Sequence, residues 1–139
     1  MSKHDYLFVD ESGDPGYAID PVSGELLSTP YYTAAVLHVV DNAFRYLNMH
    51  MSSFRFYSRL MNELKIPAGR EQFTTLMEPV GTLAENGAGI FASAVYLDKR
   101  RYTGRYLRPT EERQQDAVRF RNFVLRRLLE HHFEKYALL

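Results

Sequence analysis

Three acids fall within five residues in the segment Leu7-Phe8-Val9-Asp10-Glu11-Ser12-Gly13-Asp14-Pro15-Gly16. Carboxylates this close repel one another unless the chain points them apart or a cation neutralises them. Hard divalent ions such as Mg2+ and Mn2+ take oxygen ligands of this kind. Along an extended strand Asp10 and Ser12 share one face, while Glu11 points the other way. The run Tyr6-Leu7-Phe8-Val9 reads as a short buried strand. Asp10 then lies at its carboxyl end, beside the crevice where α/β sheets bind ligands. A plainer reading competes for two of the acids: Asp14-Pro15-Gly16 is good turn chemistry, and Glu11 could simply be solvated. For Asp10 the ligand role leads.

Two known patterns start in a similar way and fit less well. Asp10-x-Ser12-x-Asp14 matches the opening of an EF-hand calcium loop, but that loop needs Gly at its sixth position and Glu at its twelfth. Here those positions hold Pro15 and Pro21. Haloacid-dehalogenase phosphatases place a nucleophilic Asp after an apolar strand, usually with a second Asp two residues on. Ser12 stands there, which leaves a phosphatase using Asp10 as the weakest of three functional readings.

Other residues offer binding rather than chemistry. Arg100, Arg101, Arg105 and Arg108 are interleaved with Tyr102 and Tyr106, a composition that can grip phosphates and stack bases, or equally be solvated. Asp98-Lys99 at the end of an apolar run reads as a strand-end turn or as a further metal ligand. His131 and His132 lack the spacing of a helical zinc pair and read as solvated histidines near a helix end. His38 reads as a core or edge histidine with a hydrogen-bond partner, and Met49, Met51 and Met61 as core filler. No glycine-rich nucleotide-binding fingerprint occurs.

These residues sit in a chain of 139 residues, 45 % of them hydrophobic and 24 % charged, which suits one globular domain and excludes disordered and fibrous classes. No stretch nears the roughly eighteen apolar residues of a membrane span. The first residues carry charge too early for a secretory signal. Without cysteine there is no disulfide frame and no thiolate site, so a reducing cytoplasm is the expected compartment. Formal net charge is zero, yet residues 1–40 hold one base and six acids while residues 101–139 hold nine bases and five acids. Thirteen of the seventeen bases are Arg, the side chain that holds phosphate bidentately.

The elements that must position these side chains follow from period and punctuation. Residues 16–29, with Asp20-Pro21 and Ser23-Gly24, predict a loop or loose hairpin. Tyr31 to Val40 predicts a strand rich in aromatic and β-branched residues. A helix capped at Asp41 or Asn42 carries Leu47, Met51, Phe54, Tyr57, Met61 and Leu64 on one face and stops at Pro67. A shorter helix turns Phe73, Leu76, Met77 and Val80 inward, with Pro79 near its end. Ile90 to Leu97 predicts a third strand. The last helix starts at Pro109-Thr110-Glu111-Glu112 and buries Phe120, Phe123, Val124, Leu128 and Phe133. The order β, β, α, α, β, α predicts an α/β domain over residues 1–139 with a mixed sheet.

The string Val9-Asp10-Glu11-Ser12-Gly13-Asp14-Pro15-Gly16 resembles the hallmark of an RNase H-like group, the domain-of-unknown-function 3800 family. Glu63-Leu64-Lys65, after the long helix, resembles that family's Glu-apolar-Lys segment, and Tyr96-Leu97-Asp98-Lys99 a strand ending in Asp and Lys. The resemblance implies an RNase H-like sheet flanked by helices and a metal-dependent nuclease-like site acting on phosphodiesters. Asp10 and Glu63 would hold Mg2+ or Mn2+, with Asp98 and Asp14 as weaker ligands and Lys65 meeting a phosphate oxygen. Arg100, Arg101, Arg105 and Arg108 would bind nucleic acid. It also implies a microbial setting of mobile elements or phage defence. The RNase H-like pattern continues with parallel strands after the late helix, and those the chain does not contain. The expectation is therefore an N-terminal portion of that fold with an open sheet edge, able to pair with a second copy or with a complementing chain. The competing functional reading is a non-catalytic nucleic-acid- or protein-binding module of the same fold.

Overall fold

The computed structural model describes residues 4–57, 70–87, 89–107 and 115–136. Strand β1 spans Asp5–Ser12, β2 Tyr31–Val40 and β3 Ile90–Asp98; helix α1 spans Asp41–Tyr57, α2 Arg70–Glu85 and α3 Ala117–Tyr136. The strands form a three-stranded antiparallel sheet in the order β1-β2-β3. The α/β composition is as expected, whereas parallel strands, which a mixed sheet requires, are not among the described residues. No described helix is long and apolar enough to cross a membrane.

The chain divides into two compact units, one of residues 1–7 and 37–91, the other of residues 8–36 and 92–139. In the first unit Val39, Ala43, Leu47 and Ile90 are buried, with Phe44, Val80 and Leu83 packed on them. Tyr6 stacks on Phe44 with ring centroids 3.9 Å apart. His38 is buried, as its apolar strand predicted, and its Nε2 lies 3.3 Å from the Asp5 carboxylate. Helix α2 corrects one expectation. Pro79 lies inside it, and Phe73 and Met77 are 38 and 39 % exposed; Val80 packs inward as expected, joined by Leu83. Met49, expected as filler, is 63 % exposed on α1.

The second unit is built on two matched periodicities. Alternate residues Tyr32, Ala34 and Val36 of β2 present one row, and Phe120, Val124 and Leu128 of α3, four residues apart, present another. Both rows are buried, and Leu107 completes the cluster. Full burial of side chains this size is worth about 1.5–3 kcal/mol each, which makes this interlock the main support of the unit. The next residue of the helical row is His132, fully buried rather than solvated, with Nδ1 2.9 Å from Ser93 Oγ. Its position at four residues beyond Leu128 decides this, because that position faces inward whatever residue occupies it. The predicted hairpin is present: Ile19 and Leu26 form an antiparallel bridge, and the Asp20 carboxylate accepts the Val22 and Ser23 N–H groups.

The expected helix start at Thr110 lies outside the described residues; α3 as described begins at Ala117. Asp116 caps it, its Oδ1 accepting the Arg119 N–H at 2.9 Å. Asp116→Ala is expected to lower stability by about 1 kcal/mol, read as a shift in the urea midpoint at unchanged slope.

The run Leu7-Phe8-Val9 is not buried as predicted: the three residues are 45, 49 and 44 % exposed. The reason is their place in the sheet. Among the described strands β1 lies at the edge of the sheet, with β2 as its one strand neighbour.

Candidate metal centre

The pleat of β1 separates the first two acids. Glu11 turns to Tyr32 and α3: the Arg121 Nε–H donates to its carboxylate at 2.7 Å, and the Tyr32 hydroxyl donates to Oε2 at 2.7 Å. Glu11 is thus a structural carboxylate, its charge balanced by Arg121, whose own pKa it raises. Burial and the Glu11 carboxylate push the Tyr32 hydroxyl up to about 12. Unfolded tyrosine ionises near 10, so this contribution is whole below about pH 10 and is lost as the pH rises towards 12. Folding free energy is expected to fall by about 2–3 kcal/mol more in the wild type than in Tyr32→Phe across that window. Urea titrations at pH 9 and 12 measure the difference.

Asp10 has a different environment. It is exposed, and its Oδ1 accepts the N–H of Glu11 at 2.9 Å. No described cation pairs with it. Beyond it the chain turns at Gly13, whose φ is +95° and where a Cβ would collide with the Tyr31 carbonyl oxygen. Asp14 closes the turn. Its carboxylate accepts the Gly16 N–H at 2.8 Å, and its own N–H donates to Thr29 Oγ1 at 2.9 Å. The turn reading therefore describes what the Asp14 side chain does.

The turn is pinned from β3. Lys99 is fully buried, and its ammonium donates to the Asp14 carbonyl at 2.9 Å, the Gly16 carbonyl at 2.6 Å and Ser28 Oγ at 3.1 Å. Its N–H donates to the Pro30 carbonyl at 2.8 Å. Burial lowers its pKa, and the Asp14 charge opposes that. One residue earlier, Asp98 is held by Arg100: Nε to Oδ1 and Nη2 to Oδ2 are both 2.8 Å, and the Arg100 N–H also donates to Oδ1. Arg100 lowers the Asp98 pKa. Its guanidinium lies 5.1 Å from the Tyr31 ring centroid and donates to the Tyr31 hydroxyl at 2.8 Å, while Tyr31 stacks on Tyr96.

Of the other predicted residues, Arg105 lies over the Tyr106 ring and donates to its hydroxyl at 3.0 Å. The Arg101 side chain is 89 % exposed and reaches Asp98 only at 3.9 Å. Glu63, Lys65 and Arg108 lie outside the described residues. Among the described residues no three His, Asp or Glu side chains converge on a point that could hold a metal ion. An exposed, unpaired carboxylate at Asp10 suits a hard cation. Asp98, held by arginine, does not suit one in this arrangement, and Asp14, exposed and accepting one backbone N–H as Asp10 does, differs from it in having the Lys99 charge nearby.

Sequence reasoning missed Lys99, Tyr32 and Arg121 as the groups that shape this region. Lys99 stands in the quoted Tyr96-Leu97-Asp98-Lys99 string, but lysine is almost never fully buried, so residue type argued against its role. Tyr32 and Arg121 meet Glu11 only through the packing of β2 and α3, which leaves no local signal. Scans of the chain against protein-family models, curated proteins and solved structures gave no match.

Proposed function

We propose that this chain carries a metal-dependent, phosphodiester-directed site of the RNase H-like kind, centred on Asp10. The observation that carries the reading is the division of labour among the acids. Glu11 and Asp98 are each held by an arginine and Asp14 lies near the buried Lys99 ammonium, whereas Asp10 keeps an exposed carboxylate with no described cation beside it. The turn that follows it is braced by Lys99. Asp10 would hold Mg2+ or Mn2+ with Glu63 as a second carboxylate, and Lys65 would meet a phosphate oxygen. Bound divalent ions in such sites activate a water and stabilise the leaving oxygen of a phosphodiester. The protein's own part is to present the Asp10 carboxylate and to place cationic side chains near the scissile strand.

Calorimetric titration with MnCl2 tests this. Saturable heat is expected for the wild type and its loss for Asp10→Asn, with loss of any cleavage of a labelled oligonucleotide in parallel. Equal heats from the two proteins remove the reading.

A second reading, a nucleic-acid-binding module without catalysis, is favoured by one observation. Arg100 and Arg105 each lie 5.1 Å from a tyrosine ring centroid, and Arg101 extends into solvent. Guanidinium groups over aromatic rings suit phosphate and base together. In that case binding to single-stranded oligonucleotides depends on salt, needs no divalent ion and survives Asp10→Asn.

A further inference from the structure

In the second unit, residues 8–36 and 92–139, helix α3 settles which way each strand residue points. Tyr32 packs on Phe120, Val95 and Leu97 border the same cluster, and Glu11 bonds both Tyr32 and Arg121. Side chains alternate along a strand, so Asp10, Tyr31 and Tyr96 all point to the face away from α3. On that face Tyr31 stacks on Tyr96 with ring centroids 5.1 Å apart. Tyr31 is itself braced: the Arg100 guanidinium lies 5.1 Å from its ring centroid, donates to its hydroxyl and is held at two points by Asp98.

The register shows what lies on the other side of Tyr96. The Lys99 N–H donates to the Pro30 carbonyl, which sets Tyr31 opposite Asp98, Thr33 opposite Tyr96 and Ala35 opposite Ala94. Tyr31 therefore stands on the Asp98 side of Tyr96. On the opposite side lie Ala35 and Ala94, both exposed and rising no higher than a methyl group. Tyr96 is 63 % exposed, and Tyr31 is its one ring partner among the described residues.

We propose that the open face of Tyr96, above Ala35 and Ala94, takes an unpaired base of a single-stranded nucleic acid. Tyr31 already holds the ring, so little further order is lost when a base stacks on it and covers the two alanines. A duplex keeps its base faces stacked against one another and cannot offer one to the ring. Asp10 selects a nucleotide among flat ligands. It shares this face with Tyr96 and lies two strand spacings away, about 10 Å along the pairing direction, a span of nucleotide size. The proposal rests on the phosphodiester reading for its choice of ligand, and adds that the strand is gripped by a base beside the phosphate.

The test is fluorescence anisotropy with labelled decamers in EDTA, where no divalent ion contributes. The strands are oligothymidylate, oligouridylate and an abasic strand with the same phosphates. Both base-bearing strands are expected to bind saturably and roughly tenfold tighter than the abasic one. Tyr96→Ala should lower them to the abasic level and leave the abasic strand unchanged, while Tyr96→Phe, which keeps the ring, should bind as the wild type does. The comparison among strands uses the wild type alone, so it decides the matter even where Tyr96→Ala does not fold. No saturable binding, equal affinity for base-bearing and abasic strands, or a blunt duplex that competes as well as the single strand overturns the proposal. So does self-association, seen by sedimentation, that Tyr96→Ala abolishes, since it makes the occupant a second copy. Titration of wild type and Asp10→Asn with MnCl2 reads the metal site separately. Heat lost in Asp10→Asn with no preference for base-bearing strands removes only this proposal; equal heats with a preference that needs Tyr96 remove only the metal reading.

Discussion

Lys99→Met is expected to destabilise the protein by about 3–5 kcal/mol. The methionine matches the length of the lysine stem but donates nothing. The carbonyls of Asp14 and Gly16 and the hydroxyl of Ser28 would each lose a bond to a charged donor. Such bonds contribute about 1.5–3 kcal/mol each, and water reaching the exposed Asp14 offsets part of the sum. The loss should be seen as a lower urea midpoint. Its local signature is faster hydrogen exchange across residues 13–17 and 28–30, the segments that Lys99 ties to the end of β3. The variant also reports on function. If the metal reading is right, Mn2+ affinity falls although no proposed ligand has been touched, because the turn after Asp10 is no longer braced. A variant as stable as the wild type would show that the three bonds are replaced by water at no cost.

Gly13→Ala should cost about 3–4 kcal/mol, by a different mechanism. At φ +95° an L-residue is strained by about 1–2 kcal/mol. The new methyl group also meets the Tyr31 carbonyl oxygen, a backbone atom that cannot rotate away. Relief requires the chain after β1 to move from the start of β2, and forced displacement of packed atoms typically costs a further 1–3 kcal/mol, roughly. The two variants together separate causes. Gly13→Ala should also perturb the bond from the Tyr32 hydroxyl to Glu11, since Tyr31 and Tyr32 begin β2, so its tyrosine near-ultraviolet signal should change more than that of Lys99→Met.

Much of the element plan was legible because it depends on local period. Tyr31–Val40 is rich in aromatic and β-branched residues, and the strand has those bounds. Phe120, Val124 and Leu128 recur every four residues, and all three are buried on α3. Side-chain environment was less legible. Leu7-Phe8-Val9 looks like a core strand because hydrophobicity reports what a residue prefers, not whether a neighbouring strand is there to cover it. Phe73 and Met77 failed for a related reason: in a helix with several apolar residues, the packing partner chooses the face. The acids show the same limit. Asp10, Glu11, Asp14 and Asp98 are all carboxylates, and they became different only when Arg121 and Arg100 took Glu11 and Asp98 and the Lys99 charge came near Asp14.

What the sequence determined alone is therefore the set of elements and the place of the chemistry: three strands, helices between and after them, and an acidic turn where the first strand ends. These follow from interactions among residues a few positions apart, which one chain carries in its own order. Only the tertiary structure decided which carboxylates meet an arginine, that Lys99 is the buried brace of the turn, and that β2 is the one neighbour of β1 among the described strands. Each of these depends on groups far apart in sequence, as Lys99 is from Asp14 by 85 residues and Arg121 from Glu11 by 110. Desolvation and charge pairing act on what is near in space, and that nearness exists only once the strands and α3 have packed.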